Sequence, residues 1–112
     1  MHWIHLTDES QLQKIIVRSQ EKPQVIFKFC THCHTSEAIF SSLQKNCCPK
    51  HIDFHFLDLN DHETISNKIS ETFHIVNKSP QILLIKDGEC VFEESHSEIS
   101  FKEIMEHAVT AA

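Results

Sequence analysis

The sequence lacks the features that mark membrane-spanning and secreted proteins. It has 112 residues, and none of its apolar runs approaches the roughly 20 residues that a membrane-spanning helix requires. Residues 1–5 contain neither the basic start nor the apolar core of a signal peptide. We therefore expect a cytoplasmic protein with a single domain over residues 1–112, built around one hydrophobic core.

Positive charge is also scarce. Lys and Arg total 10 against 16 Asp and Glu, which gives a formal net charge of −6. No short stretch of the chain concentrates the basic side chains. Nucleic acids and anionic membrane surfaces both attract proteins through basic patches. We therefore expect neither of them as a partner.

The cysteines lack the pattern of a disulfide framework. There are five of them, an odd number at uneven spacing, and disulfides are rare in cytosolic proteins. Adjacent Cys47 and Cys48 cannot bridge each other without strain. Cys90 opens a predicted strand, where it is expected to serve as a small apolar side chain. The candidates for chemistry are therefore Cys30 and Cys33.

Strand patterns recur along the chain. Short runs rich in β-branched and aromatic residues predict strands, and they lie at residues 3–6, 25–29, 52–59, 81–85 and 90–92. Asp87-Gly88 separates the last two runs and contains the only glycine. This dipeptide is a strong signal for a two-residue hairpin, so these two strands are expected to pair antiparallel.

Apolar residues at helical spacing predict four helices between and after the strands. The first begins after Thr7 or Asp8 and the last after Ser100, side chains that cap helix amino termini. The second ends at the Cys48-Pro49 step. The expected buried positions are Leu12, Ile15 and Ile16 in the first helix, Ala38, Ile39 and Leu43 in the second, and Ile65, Ile69 and Phe73 in the third.

The resulting order of elements is βαβαβαββα. Strand–helix–strand units at the start imply parallel pairing, and the hairpin adds an antiparallel pair. This order predicts an α/β protein with the thioredoxin fold, in which helices flank a central mixed sheet and an additional strand and helix come first. Other small α/β arrangements fit the same order, but none of them accounts for the position of the cysteines.

The main sign of chemistry is the run Cys-Thr-His-Cys-His-Thr-Ser at residues 30–36, hereafter the cysteine segment. It joins the second predicted strand to the second predicted helix. The amino end of a helix stabilises a thiolate through its positive partial charge and unpaired N–H groups. The thiolate is the form of cysteine that attacks disulfides and binds metals.

Two overlapping motifs, Cys30-x-x-Cys33 and Cys33-x-x-Ser36, imply different mechanisms. In the first, Cys30 attacks a disulfide and Cys33 resolves the intermediate. In the second, Cys33 attacks, Ser36 occupies the resolving position, and Cys30 is an extra thiol on the strand side. Thioredoxin-like chains usually place a few loop residues between the strand and the attacking sulfur. Counted from Phe29, Cys33 has these residues and Cys30 does not, so the spacing favours Cys33.

Histidines flank this cysteine on both sides. A protonated His32 or His34 would favour the Cys33 thiolate, although simple exposure in an open loop is an equally good explanation. Together with Cys30, these residues could instead bind Zn²⁺ or Cu⁺, because cysteine and histidine are both soft ligands. The second ligand pair of a structural zinc site is absent at the usual spacing, so no metal site is expected.

Two stretches of the chain resemble a known family. Ser-Pro-Gln-Ile-Leu-Leu-Ile-Lys-Asp-Gly at residues 79–88, followed by Ser95-His96, is similar to the second half of the monothiol bacilliredoxins. These are thioredoxin-like proteins of the bacillithiol system. Their segment Lys-His-Ser-Thr-x-Cys-Pro-Ile-Ser aligns with residues 28–36, which places Cys33 at the position of the family's redox cysteine.

The chain departs from the family pattern in both stretches. His34-Thr35 replaces a Pro-Ile pair, Ser97 replaces a tryptophan, and Cys30 replaces a serine. The extra cysteine opens a dithiol alternative, in which Cys30 and Cys33 together reduce protein disulfides as in an ordinary thioredoxin.

The resemblance implies thiol–disulfide exchange without a bound cofactor. The Cys33 thiolate would reduce oxidised or S-thiolated client proteins, a low-molecular-weight thiol would be the co-substrate, and Cys30 could resolve the intermediate. In thioredoxin-like proteins the proline that matches Pro80 is cis and faces the reactive cysteine across a shallow groove. Ser79 and Pro80 are therefore expected to bind an extended client segment. The remaining alternative is a non-catalytic adaptor that recruits partners through this groove.

Overall fold

The computed structural model describes residues 2–31, 34–46 and 49–110. These residues form strands and helices in the predicted order βαβαβαββα. The strands are β1 (Trp3–His5), β2 (Gln24–Phe29), β3 (Asp53–Asp58), β4 (Gln81–Lys86) and β5 (Glu89–Ser95). The helices are α1 (Ser10–Arg18), α2 (His34–Gln44), α3 (Glu63–Phe73) and α4 (Phe101–Thr110), with a 3₁₀ turn at His96–Glu98. Within the described ranges, no helix is long and apolar enough to cross a membrane.

The strands form one mixed sheet in the order β1-β3-β2-β4-β5. β3 is parallel to β1 and β2, whereas β4 is antiparallel to β2 and β5. β2 is therefore the central strand, and its last residue, Phe29, pairs with Asp58 at the end of β3. Because parallel neighbours end at the same edge of a sheet, the segments that follow β2 and β3 meet there. This confirms the predicted mixed sheet, and the cysteine segment begins at that edge.

Two hydrophobic layers cover the sheet, one on each face. The layer under α1 and α3 contains Leu6, Leu12, Ile15, Ile26, Leu57, Ile65, Ile69, Phe73, Leu83 and Ile85. The layer under α2 and α4 contains Val25, Phe27, Ile39, Leu43, Ile52, Phe54, Ile82, Leu84, Ile104 and Ala108. Successive strand residues point to opposite faces, so every strand in the middle of the sheet contributes to both layers. This explains why the sequences of β2 and β4 do not alternate between apolar and polar residues.

An aromatic cluster anchors α2 on its face of the sheet. Phe40 of α2 lies 5.7 Å from Trp3, 5.6 Å from Phe29 and 5.3 Å from Phe56, measured between ring centroids. Trp3 also donates a hydrogen bond from Nε1 to the side chain of Gln44 at the last residue of α2. Aromatic pairs at these separations are favourable beyond the area that they bury. The cluster therefore fixes α2 against the strand that leads to the cysteine segment.

Local chemistry accounts for the turn between β4 and β5. Asp87 and Gly88 have φ angles of 53° and 79°, which a two-residue primed hairpin turn requires at both central positions. The N–H groups of Asp87 and Gly88 donate to the carbonyl and hydroxyl oxygens of Ser19, at 2.9 Å and 2.8 Å. The predicted Asp-Gly hairpin is confirmed.

The predicted caps have partners at the helix starts. The Asp8 carboxylate accepts the N–H of Ser10, the first residue of α1, at 3.0 Å. Ser100 Oγ accepts the N–H of Glu103 at 3.4 Å, in the first turn of α4. Both contacts satisfy N–H groups that the helix itself leaves free.

Several details of the prediction are wrong. Ala38 is exposed rather than buried, because the buried stripe of α2 runs through Ser36, Ile39 and Leu43. In α1, Leu12 and Ile15 are buried as predicted, but Ile16 is only partly buried. These residues keep helical spacing, but the stripe is narrower than the prediction assumed.

Two element boundaries differ from the prediction by more than a single residue. α2 ends at Gln44 instead of the Cys48-Pro49 step, because Asn46 donates its side-chain amide to the carbonyl of Ser42 at 3.1 Å. β5 extends to Ser95 instead of ending at residue 92, because its pairing with β4 continues to the Gln81–Ser95 pair. Cys47 and Cys48 lie outside the described residues.

A buried histidine lies at the other end of the sheet from the cysteine segment. His55 is 4% exposed, and burial lowers its pKa to about 4. Gln24 donates its amide to Asp53 at 2.9 Å, so its oxygen accepts from His55 Nε2 at 2.8 Å. The proton of the neutral ring is therefore assigned to Nε2. His55 Nδ1 has no hydrogen-bond partner within the described part of the chain.

This histidine predicts a specific loss of stability in acid. Between pH 6.5 and 4 the unfolded chain protonates His55 while the folded chain does not, so the free energy of unfolding falls as the pH is lowered. The loss from this group is about 3 kcal/mol in total. Urea titrations of the wild type and of His55→Gln at several pH values check it. The variant should have a shallower pH dependence in this range, and an unchanged slope would contradict the assignment.

Candidate functional site

The cysteine segment connects β2 to α2. Cys30 and Thr31 follow β2 directly, and His34 is the first residue of α2. His32 and Cys33 lie outside the described residues. In sequence, Cys33 directly precedes the helix, at the junction where a helix amino terminus stabilises a thiolate.

Ser36 ties the start of the cysteine segment to the first turn of α2. Its side chain is fully buried, and its Oγ accepts the backbone N–H of Cys30 at 3.1 Å. Cys30 itself is half-buried. The hydrogen bond spans the two residues outside the described ranges and therefore fixes the distance between the two ends of the loop. Two of the predicted site residues, Cys30 and Ser36, are in direct contact.

The loop after β3 supports the same segment from the other side. The N–H of Thr31 donates to Asn60 Oδ1 at 2.9 Å, and its hydroxyl donates to Asp58 at 3.2 Å. The N–H of Leu59 donates to the carbonyl of Phe29 at 2.9 Å. Asp58 and Asn60 were not among the predicted site residues. Their position at the end of the strand that pairs in parallel with β2 is a signal that could have indicated them.

Ser79 and Pro80 lie at the start of β4, next to the end of β2. The Ser79–Pro80 peptide bond is cis, which is the isomer that the resemblance implies at this position. Pro80 is buried and Ser79 is partly exposed. The carbonyl of Pro80 accepts the N–H of His96 at 3.0 Å, and His96 has a φ of 56°. The backbone N–H of His96 thus helps to hold Pro80 in place.

One cleft brings the two halves of the site together. It has a volume of about 340 Å³ and is lined by Cys30, Leu59, Asn60, Glu63, Ser66, Asn77 and Ser79. Most of these side chains are amides, hydroxyls or carboxylates. The cleft therefore places the thiol-bearing residue Cys30 and the groove residue Ser79 on a common, mostly polar surface.

A buried ammonium group lies among the residues of this cleft. Lys28 of β2 is 0% exposed. Its Nζ donates to the carbonyl of Ser66 at 3.3 Å, to Ser70 Oγ at 2.9 Å and to Asn77 Oδ1 at 3.0 Å. Burial lowers its pKa to about 8, although the charge of nearby Glu93 opposes this shift. Lys28 aligns with the family segment, but no role was predicted for it.

The other candidate groups differ in their surroundings. His34 is exposed. Cys90 is half-buried and contacts the carbonyl of Phe92 at 3.4 Å through its Sγ. Burial raises the pKa of the Cys90 thiol to about 11, so it is protonated at neutral pH and is a poor nucleophile. Cys90 packs against the layer under α1 and α3, as a small apolar residue would.

No group of three or more His, Cys, Asp or Glu side chains within residues 2–31, 34–46 and 49–110 is arranged to hold a metal ion. The predicted metal alternative involves His32 and Cys33, which lie outside these ranges.

Solved structures similar to this chain share its fold. A protein described as having a thioredoxin fold superposes with a TM-score of 0.80 at 20% identity, over 92% of this chain and 90% of the other. Thioredoxin from Fasciola hepatica gives a TM-score of 0.70 at 22% identity, over 94% and 95% of the two chains. Spinach chloroplast thioredoxin f gives 0.69 at 16% identity, over 96% and 90%. These similarities confirm the predicted thioredoxin fold.

A family model gives a more specific match. The model of the monothiol bacilliredoxin BrxC matches residues 4–104, which includes both halves of the cleft and the whole cysteine segment. The match agrees with the resemblance seen in residues 28–36 and 79–88. This chain belongs to the monothiol bacilliredoxin family.

Proposed function

We propose that this protein reduces mixed disulfides between client proteins and a low-molecular-weight thiol, with the Cys33 thiolate as the nucleophile. Membership of the bacilliredoxin family and the thioredoxin fold support thiol–disulfide redox chemistry in general. The observation that carries the specific proposal is the cleft that Cys30 and Ser79 line together. It brings a thiol of the cysteine segment close to Ser79, which is expected to bind the client segment.

The first step is an exchange in which one S–S bond breaks and another forms. The Cys33 thiolate attacks the sulfur of the small thiol in the mixed disulfide. The client leaves as a thiolate and takes up a proton, and the small thiol is now bound to Cys33. The electron pair of the broken S–S bond leaves with the client sulfur, so formally this sulfur gains one electron and the Cys33 sulfur loses one. The two-electron reduction of the mixed disulfide is complete when the small thiol leaves Cys33 in the second step.

The second step removes the small thiol from Cys33. If Cys30 attacks Cys33 as a thiolate, a Cys30–Cys33 disulfide forms and the small thiol leaves. A second thiol from solution can attack instead and leave as a disulfide with the first. In the family, serine replaces Cys30, so the internal route is a property of this chain. The half-buried thiol of Cys30 in the cleft supports this route.

The support for Cys33 as the attacking residue comes from the surroundings of its neighbours. Cys30 follows the last residue of β2 directly, and its N–H is bound to Ser36. Cys33 instead precedes His34, the first residue of α2. The dipole of an 11-residue helix and a protonated His32 or His34 would each lower the pKa of a thiol at this junction.

Replacement of the proposed nucleophile should abolish the activity. We expect Cys33→Ser to lose exchange with an S-thiolated protein, because a hydroxyl cannot replace the thiolate. Cys33 should also react with iodoacetamide faster than the other thiols at neutral pH, as measured by peptide mass spectrometry over time. Cys90→Ala is the matched control and should keep full activity, since the Cys90 thiol is protonated. Equal labelling of all five cysteines would contradict the proposal.

A second experiment separates the internal route from the monothiol route. In this experiment Cys33 of the wild type is first converted to a mixed disulfide with free cysteine. The wild type should then release the free cysteine without added thiol, because Cys30 attacks the mixed disulfide. Cys30→Ser should still form the mixed disulfide but should release cysteine only after thiol is added. Quantification of free cysteine and of the Cys30–Cys33 disulfide by mass spectrometry measures both. If the wild type also needs added thiol, the protein uses the monothiol mechanism.

The role of Ser36 can be tested through stability. Ser36→Ala removes the acceptor of the Cys30 N–H in a buried setting, so we expect a loss of about 1–2 kcal/mol in the free energy of unfolding. Ser41→Ala is the matched control, because Ser41 lies exposed on the same helix. Denaturant titrations of both variants provide the comparison. Equal effects of the two substitutions would mean that the Ser36 hydroxyl does not hold the segment.

A further inference from the structure

Two buried polar residues face each other across β2 and β4. Lys28 and Gln81 are direct partners in the antiparallel register, and they are 0% and 1% exposed. Both lie at the end of the sheet where the cysteine segment begins. Polar groups this deeply buried are costly unless each is hydrogen-bonded. The hydrogen-bond partners of the two residues therefore show which part of the chain they stabilise.

Lys28 holds the side chain of Asn77. Its ammonium group has three N–H donors, and all three have acceptors, on Ser66, Ser70 and Asn77. Ser66 Oγ also donates to Asn77 Oδ1 at 3.0 Å. The contacts tie the residue at position 77 to the middle of α3. All three hydrogen bonds of the Lys28 ammonium group are therefore made within the protein.

Gln81 holds the residues on either side of Asn77. Its Nε2 donates to the carbonyl of Val76 at 2.9 Å and to Glu93 of β5 at 2.9 Å. Its Oε1 accepts the N–H of Lys78 at 3.5 Å. The two buried residues thus contact three consecutive residues, 76–78, through a side chain, a carbonyl and an N–H.

The segment 76–78 has no apolar burial of its own. Val76 is 71% exposed, and Asn77 and Lys78 are exposed as well. Exposed segments with few apolar contacts open readily unless other interactions hold them. The polar contacts from Lys28 and Gln81 therefore restrain this segment from the buried side, while Ser66 and Asn67 of α3 hold Asn77 as well. The segment leads directly into Ser79 and Pro80.

We propose that Lys28 and Gln81 are positioning residues that hold segment 76–78, and through it the Ser79–Pro80 groove, in place for an extended client polypeptide. The inference rests on the proposed function, because the groove matters only if client proteins bind there. It predicts that the pair affects protein substrates and leaves small disulfides unaffected. A small disulfide reaches the nucleophile without pairing along the groove.

The charge state of Lys28 is compatible with this role at neutral pH. Burial lowers its pKa to about 8, and the Glu93 carboxylate of β5 limits the decrease. The ammonium form therefore predominates at pH 7. Its hydrogen-bond acceptors, the carbonyl of Ser66 and the side chains of Ser70 and Asn77, carry no charge.

The test compares two substrates in one variant. Lys28→Met keeps most of the apolar stem and removes the three donors. The first substrate is a protein whose surface thiol forms a mixed disulfide with free cysteine. With this substrate we expect KM to rise roughly tenfold while kcat changes little. With hydroxyethyl disulfide, the second-order rate constant should stay within about twofold of the wild type. A parallel fall for both substrates would overturn the inference.

Gln24→Met is the matched control. Gln24 lies on the same strand at the opposite end, is 0% exposed, and contacts His55 and Asp53 rather than segment 76–78. It should lower stability without changing KM for the protein substrate. A KM increase equal to that of Lys28→Met would mean that the effect comes from general loss of stability, and the inference would fail.

Asn77→Ala provides an independent test that leaves the core intact. It removes the contact with Lys28 from the exposed side, together with the hydrogen bonds to Ser66 and Asn67. It should therefore raise KM selectively even if Lys28→Met does not fold. Amide hydrogen exchange gives a readout that needs no activity: both variants should lose protection within residues 76–81, whereas α3 should keep it. Unchanged protection would refute the positioning role. A wild type that is inactive towards both substrates would instead refute the proposed function itself, so the two failures can be told apart.

Discussion

The parallel pairing of β2 with β3 is the interaction on which the candidate site depends. It aligns Phe29 with Asp58 and so brings the loop after β3 alongside the residues that follow β2. Thr31 then finds its acceptors on Asp58 and Asn60. A shift of one residue in this register would turn every β2 side chain to the opposite face. Lys28 would then point into the aromatic layer under α2, where it has no acceptor.

The sheet carries two polar clusters, one at each end, and an apolar interior between them. At one end Gln24 contacts His55 and Asp53, and Asp53 also pairs with Lys22 and Arg18. At the other end, Lys28 and Gln81 direct their hydrogen bonds to a surface segment. Hydrogen bonds offset much of the cost of burial in both clusters, but only the second cluster connects to the chain around the cleft. Burial of a charge at that end is therefore tied to the geometry of the site.

Most of the fold could be predicted because its signals are local. The apolar spacing of α3, the β-branched runs of β2 and β4 and the Asp87-Gly88 turn each specify their own element, and the order of elements then restricts the topology. The prediction that Ala38 is buried is wrong because neighbouring positions on a helix differ by about 100° in direction. The buried stripe of α2 includes Ser36 instead. A serine there is explained only by its contact with the N–H of Cys30.

The candidate site was predicted less completely, because part of it depends on contacts between distant segments. The junction of strand and helix identified the cysteine segment, and the family pattern identified Ser79 and Pro80. Asp58 and Asn60 contact Thr31 only through tertiary structure, so no local pattern marks them. Lys28 interrupts an apolar run, and sequence alone does not distinguish a buried, fully bonded lysine from an exposed one.

The surroundings of Cys90 have a consequence for oxidative damage. Burial raises the pKa of this half-buried thiol to about 11, so its ionised form is scarce at pH 7. Peroxides and disulfides react with the ionised form, so Cys90 reacts more slowly than a thiol of ordinary pKa. The cysteine that packs against the layer under α1 and α3 is thereby protected from oxidation to sulfenic acid.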